Sequence, residues 1–293
     1  MMNSGWERML RLLRLARRLP VLAVLILAGV GFPAIVFAAA GTTATIPAAS
    51  SGSISAGSIH YDVHFGSQGF KVGEAVHQWQ LSEDAYELEL QLKTTGLVGL
   101  FGLEYKQLSR GKVLAGALQP QYFAVEQRGR KPERAEFDWA AGQVALYRAE
   151  RLRRTEAIST GDQDVLSLWH EARRQAAAHL AARQGKAGSA AAAAAATAAL
   201  PLRVITGRKL KLASLSVVGE EGLKLPAGEF DTLQLRVRAE DGGLEIELWL
   251  SQQHQLLPVR IRLTDEDGQV LDQRATAISI QPALPAVAAN GNK

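Results

Sequence analysis

The sequence predicts a mainly β protein: one strongly curved antiparallel sheet or incomplete β-barrel, with one covering helix. Three observations lead there. Apolar and polar residues alternate with period two in segment after segment, as where Ile59, Tyr61, Val63 and Phe65 interleave with His60, Asp62 and His64. The turns between such segments are short, which antiparallel hairpins permit and parallel crossovers do not. Strands buried on both faces would read as continuous apolar runs, and these do not. Roughly ten to twelve strands, each with one apolar face, must bend over a shared interior.

The first 40 residues have the grammar of an export signal. Arg8, Arg11, Arg14, Arg17 and Arg18 precede an uncharged apolar run from Val21 to Phe37, which ends in Ala38-Ala39-Ala40 before Gly41. The expected outcome is a cleaved signal peptide over residues 1–40; an uncleaved N-terminal anchor is the alternative. Either way the arginines stay inside and the rest of the chain is periplasmic. Membrane contact is expected only through this segment. With no cysteine there is neither a lipid attachment site nor a disulfide.

The chain carries 33 basic and 29 acidic residues, of which five and one fall within residues 1–40, leaving 28 of each beyond. The basic character therefore sits in the signal, and nucleic acid is not an expected partner.

Residues 41–57, rich in Gly, Thr, Ala and Ser, read as a flexible leader. A β domain is expected over 58–280. Ser58 to Phe65 and Phe70 to Leu81 form a hairpin around Gly66-Ser67-Gln68-Gly69. Tyr86, Leu88, Leu90 and Leu92 then alternate with Glu87, Glu89, Gln91 and Lys93. Weaker strands fit Leu103 to Val113, Gln121 to Arg128, Ala135 to Trp139, Val144 to Tyr147, Leu210 to Val218 and Leu223 to Leu225. Strong alternation returns at Leu233 to Val237, Leu244 to Leu250, Val259 to Leu263 and Val270 to Thr276.

One helix is expected from Val165 to Arg183, capped by Asp162 or Asp164 and buried through Val165, Leu166, Leu168, Trp169 and Ala172. The alanine run at 190–196 belongs to an insertion, so that helix and insertion together span 162–200. Residues 281–293 are expected to be a disordered tail.

Motifs for chemistry are sparse. His60 and His64 share a strand face about 13 Å apart, too far to hold one metal ion. No G-x-S-x-G elbow, H-E-x-x-H pair or phosphate-loop signature occurs. The acidic pairs Asp162/Asp164, Glu220/Glu221 and Asp265/Glu266/Asp267 are accounted for by helix capping and turns. No catalytic residue, metal or cofactor is expected. Aromatic residues crowd the first half of the chain, where they either fill a core or line an apolar cavity. Leu97-Val98-Gly99-Leu100-Phe101-Gly102 is an apolar loop between two strands, of the kind that marks a lipid or protein contact. The candidate ligand-binding residues are Trp79, Leu97, Leu100, Phe101, Tyr105 and Trp139.

In order along the chain, Tyr61-x-Val63, Gly73-Glu74-Ala75, Gly96-Leu97, Leu100-Phe101, Ser109-x-Gly111 and Leu118-x-Pro120 resemble the pattern of the DUF3108 family of exported bacterial proteins. Phe137-Asp138-Trp139, Gln163-Asp164-Val165-Leu166-Ser167, Gly228-x-Phe230-x-Thr232, Trp249-Leu250 and Leu257-Pro258-Val259-Arg260 continue it. The resemblance covers about residues 58–278 and is interrupted by the alanine-rich stretch. It implies no catalytic role for any residue. The shape it implies is similar to the incomplete barrels of periplasmic lipoprotein carriers, in which a curved sheet wraps a helix.

The expectation is a periplasmic envelope protein that binds a lipid or other apolar ligand, or a membrane-associated partner, within its curved sheet. A structural protein that binds another envelope protein, and a hydrolase of cell-wall or polysaccharide material, are the alternatives.

Overall fold

The computed structural model describes residues 54–66, 69–96, 102–185 and 199–282. The expected signal or anchor, residues 41–53 of the leader, Leu97 to Phe101, residues 186–198 of the insertion and residues 283–293 of the tail lie outside the described residues.

The described strands form one sheet. The first meander consists of β1 (Ile54–Phe65), β2 (Phe70–Leu81), β3 (Ala85–Thr94), β4 (Glu104–Leu114), β5 (Ala117–Gln127), β6 (Glu133–Asp138), β7 (Gln143–Arg148) and β8 (Arg151–Ala157). A two-residue strand, β9 (Gln163–Asp164), precedes helix α1 (Leu168–Arg183). The second meander is β10 (Leu200–Ile205), β11 (Leu210–Leu225), β12 (Gly228–Ala239), β13 (Leu244–Ser251), β14 (Leu257–Asp265) and β15 (Val270–Pro282). Strand β1 pairs with β2 on one side and with β15 on the other, so the two meanders share a centre and end far apart in the sheet, at β8 and β9. All pairings are antiparallel except the short one between β9 and β10.

The sheet curls until its β9–β10 end packs against β5 and β6. In β10, Val204 and Ile205 are both buried although adjacent strand residues point to opposite faces, and in β9 the same holds for Gln163 and Asp164. That end of the sheet is therefore covered on both sides. Gln163 Nε2 donates to Leu118 O in β5 at 3.0 Å, and Arg208, in the β10–β11 turn, donates to Glu133 of β6 at 2.7 Å. A Cβ at Gly207 would lie 3.0 Å from Glu133 Cβ, so the turn is pressed flat against β6.

The inner face is the core predicted from alternation. Ile59, Tyr61, Trp79, Leu88, Phe123, Leu146, Leu235 and Leu248 are fully buried, each such side chain contributing about 1.5–3 kcal/mol. Tyr61 OH donates to Pro258 O at 2.6 Å and ties β1 to the start of β14. Helix α1 adds Leu168, Trp169, Ala172 and Ala176 to this core, with Trp169 stacked on His77 at 5.5 Å. Among the described residues, no helix is long and apolar enough to cross a membrane.

Several boundaries differ from expectation. Strand β1 begins at Ile54, inside the expected leader, and β15 reaches Pro282, inside the expected tail, because the two strands pair to their ends. Strands β8, β9 and β10 bring the number to 15. β8 has no apolar face and is held by its ladder to β7. The helix starts at Leu168, three residues later than expected, and no side chain caps it.

Gly111 shows why one position in β4 cannot carry a side chain. At the bulge between β4 and β5, a Cβ there would lie 2.2 Å from Gln119 O, a backbone atom that cannot swing aside. Gly111→Ala is expected to cost at least about 1–3 kcal/mol, read as a lowered urea midpoint with the far-ultraviolet spectrum retained. An unchanged midpoint would mean that β4 and β5 are not so closely apposed.

Candidate functional site

The β1–β2, β3–β4, β5–β6 and β10–β11 connections lie at one end of the curl, here the upper rim. Helix α1 and the β13–β14 loop lie at the other, where Arg173 donates twice to Gln255 O. Three polar arrangements stand out against the apolar core.

The first is buried beside α1. Asp164 is fully buried. Its Oδ1 accepts the amides of Leu166 and Ser167 at 2.8 Å each, and its Oδ2 accepts from Ser109 Oγ at 2.6 Å. Ser109 in turn lies 3.1 Å from Tyr86 OH. The carboxylate thus organises the turn before α1 rather than capping the helix itself. Asp162, the other expected cap, instead pairs with Arg203 at 3.0 Å. Burial raises the Asp164 carboxyl to about 6, although every hydrogen bond it accepts pulls the other way. All of these bonds tie backbone and side chains of the fold to one another.

The second is cationic. His77, on β2, lies 6.2 Å from His170, whose Nδ1 is 3.3 Å from Arg173 Nη1. Burial, reinforced by the Arg173 charge, lowers His77 to about 4. Burial, Arg173 and His77 together hold His170 well below the ordinary imidazole value. No carboxylate takes part, so both rings fold neutral.

The third is open. A groove of about 530 Å3 runs along the upper rim, lined by Gln91, Leu92 and Lys93 of β3, Glu104, Tyr105 and Lys106 of β4, and Glu126, Gln127, Arg128, Arg130 and Pro132 around the end of β5. Its charged lining is Lys93, Lys106, Arg128 and Arg130 against Glu104 and Glu126, a net positive wall. Lys106 is engaged by Glu89 at 2.6 Å, while Lys93, Arg128 and Arg130 make no ion pair among the described residues. Tyr105 forms part of the wall, its hydroxyl accepting from Gln107 Nε2 at 2.7 Å.

The candidate residues named from sequence are not brought together. Tyr105 lines the groove. Trp79 lies in the core on β2, two strands from Tyr105 and four residues, about 13 Å, further along the strand direction. Trp139 sits on the β6–β7 turn at the opposite end, stacked on Phe137 and donating to Pro120 O at 2.6 Å. Leu97, Leu100 and Phe101 lie outside the described residues. The groove cations were not singled out, because alternation marks a face but not a height along the barrel.

Two arrangements bear on catalysis. Ser251 Oγ lies 3.0 Å from His254 Nδ1 in the β13–β14 turn. Ser251 is fully buried and also contacts Gln253, and His254 packs edge-on against Phe230 with no carboxylate bonded to its ring. This is a turn network, without an exposed nucleophile or an orienting acid. On the outer face of the second meander, Trp249 is covered by Arg260 at 4.6 Å and donates to Glu221 at 2.6 Å. Arg260 also pairs with buried Asp272 at 2.7 Å, and Arg274 completes the cluster at 3.0 Å. These charges satisfy one another. Among the described residues no group of three or more His, Asp or Glu could hold a metal ion.

The two buried titrations oppose each other. The lowered His77 contributes stability that is present above the ordinary imidazole value and lost as pH falls towards 4. The raised Asp164 works in reverse, since the folded chain takes up its proton first and gains stability as pH falls through about 6. Each effect is about 3 kcal/mol. In urea titrations at pH 7 and pH 4.5, Asp164→Asn should therefore show a steeper acid loss than the wild type. His77→Phe, which keeps a ring against Trp169, should show a shallower one. Parallel pH dependence in all three proteins would contradict these burials.

The chain covers known folds only loosely. A β-barrel-like DUF1849 protein from Brucella abortus is 9% identical, with a TM-score of 0.48 over 79% of this chain and 100% of that one. A candidate lipoprotein from Parabacteroides distasonis is 10% identical, with a TM-score of 0.29 over 76% of this chain and 95% of that one. A candidate exported protein with a YmcC-like fold from Bacteroides fragilis is 9% identical, with a TM-score of 0.30 and the same coverages. No curated protein matches the chain. The model of a protein family of unknown function, DUF3108, matches residues 60–274, and the chain belongs to that family.

Proposed function

We propose that this chain is an exported envelope protein that works by binding, and that the rim groove takes one end of a lipid-like molecule with an anionic head. The observation that carries this reading is the groove itself. Its volume falls within the range of small-molecule sites, about 300–1,000 Å3. Its wall pairs the apolar surfaces of Leu92, Tyr105 and Pro132 with cations that no carboxylate neutralises.

The interior is a weaker candidate, because Trp169 and His77 stack within it and its large side chains form one continuous core. Binding therefore moves from the inside of the sheet to its rim. The groove adjoins the ends of β3 and β4, the hairpin whose second strand follows Gly102. A Cβ at Gly102 would lie 2.8 Å from Arg128 Nη1, so the guanidinium is already packed against the stem of this hairpin. Export rests on the arginine-rich start and the apolar run that follows it.

A fluorescent fatty acid and its methyl ester, titrated onto the chain lacking residues 1–40, provide the test. The acid should bind saturably and at least about tenfold more tightly than the ester, a difference of about 1.4 kcal/mol. Arg128→Gln with Arg130→Gln should erase that difference. Equal binding of acid and ester, or an unaltered difference in the double variant, would rule the groove out as an anion-selective site.

A further inference from the structure

Among the described residues, the sheet has one long edge that no other strand covers. Strand β8 pairs with β7 alone, and no strand lies on its other side. The opposite end of the sheet reaches it only at its last residue, where Arg203 Nη2 donates to Ala157 O at 2.6 Å. Arg151, Leu152, Arg153, Arg154 and Thr155 are all exposed, Leu152 by 55%. A run of unpaired backbone donors and acceptors is a template for another strand, and proteins normally shorten, bury or charge such an edge.

The unpaired charge here is positive. Arg151 and Arg153 make no ion pair among the described residues, while Arg154 pairs with Glu156 at 3.2 Å. On the β10–β11 turn, the Lys209 ammonium is held below its ordinary value by burial and next by Lys211, against the opposing charge of Asp241, with Arg154 adding a smaller lowering. The unpaired charge on the edge is that of Arg151 and Arg153; in-register antiparallel pairing of β8 with a second copy would set Arg154 opposite Arg154, which is unfavourable for directly opposed residues. The same field favours an incoming strand of opposite sign.

We infer that the free edge of β8 is a docking site for an extended acidic segment of another envelope protein, added as a further antiparallel or parallel strand. Main-chain hydrogen bonds along β8 supply the attachment, and the arginines select carboxylates on the incoming strand. Seven residues match the length of β8. Arginines on an edge also serve simply to prevent pairing, and the two roles separate experimentally. This inference is independent of the rim groove.

The probes are an eight-residue peptide of alternating glutamate and threonine, its lysine counterpart, and the glutamate peptide N-methylated at alternate residues along one edge. Each is labelled and titrated onto the chain lacking residues 1–40, with fluorescence anisotropy as the readout at low salt. The glutamate peptide should bind at least about tenfold more tightly than the lysine peptide and the N-methylated one. Arg151→Glu with Arg153→Glu, at exposed positions that leave the core untouched, should invert the preference between glutamate and lysine peptides. Arg128→Gln with Arg130→Gln should leave it unchanged. Equal binding of the N-methylated peptide would show mere charge adsorption and overturn the proposal, as would an unchanged preference in the β8 variant or no peptide binding at all.

Discussion

A sheet that grows outward from a central pair of strands leaves two ends to be disposed of, and one buried carboxylate does most of that work here. Asp164 stands in β9, the last strand of one arm, and reaches across the interior to Ser109 in β4 of the other. With its second oxygen it fixes the two amides that lead into α1. Gln163 beside it holds Leu118 O in β5, and both residues ladder onto β10. Curl, helix position and burial of β10 all follow from these few bonds. A carboxylate in such a place carries a desolvation cost, visible in its raised pKa, and breaking its contacts would leave buried amides unpaired at about 1–3 kcal/mol each.

That arrangement explains which parts of the fold were readable in advance. A sheet with one dry and one wet face writes itself as alternation, so β1 to β3 and β12 to β15 follow directly from Ile59, Leu88, Leu235 and their neighbours. Where the curl overlaps, the pattern fails. Val204 and Ile205 are covered on both sides and do not alternate, and β8 presents Arg151 to Arg154 to solvent and has no dry face at all. Asp162 and Asp164 looked like helix caps because their spacing to the apolar stripe is that of a cap. Besides nearby backbone amides, their carboxylates engage Arg203 and Ser109, 41 and 55 residues distant in the chain.

The candidate site was legible only in part, for a related reason. Period two assigns a residue to a face, while the height of that residue along the barrel depends on register and on how far each hairpin extends. Tyr105, Trp79 and Trp139 all read as aromatic and inward or partly so, yet they occupy the rim, the middle and the far end. The cations of the groove come from two strands and a turn, and no local spacing connects Lys93 with Arg130. Balanced charge over the chain beyond residue 40 also conceals an uneven distribution, with unneutralised arginines gathered at the rim and on β8.

Hydrogen exchange on Asp164→Ala tests the central claim most directly. If this carboxylate closes the curl, backbone amides in β4, β5, β9, β10 and α1 will lose protection together, while β12 to β15 retain theirs. Faster exchange confined to residues 162–168, with β10 and β5 as protected as before, would show that the ends of the sheet hold one another without it.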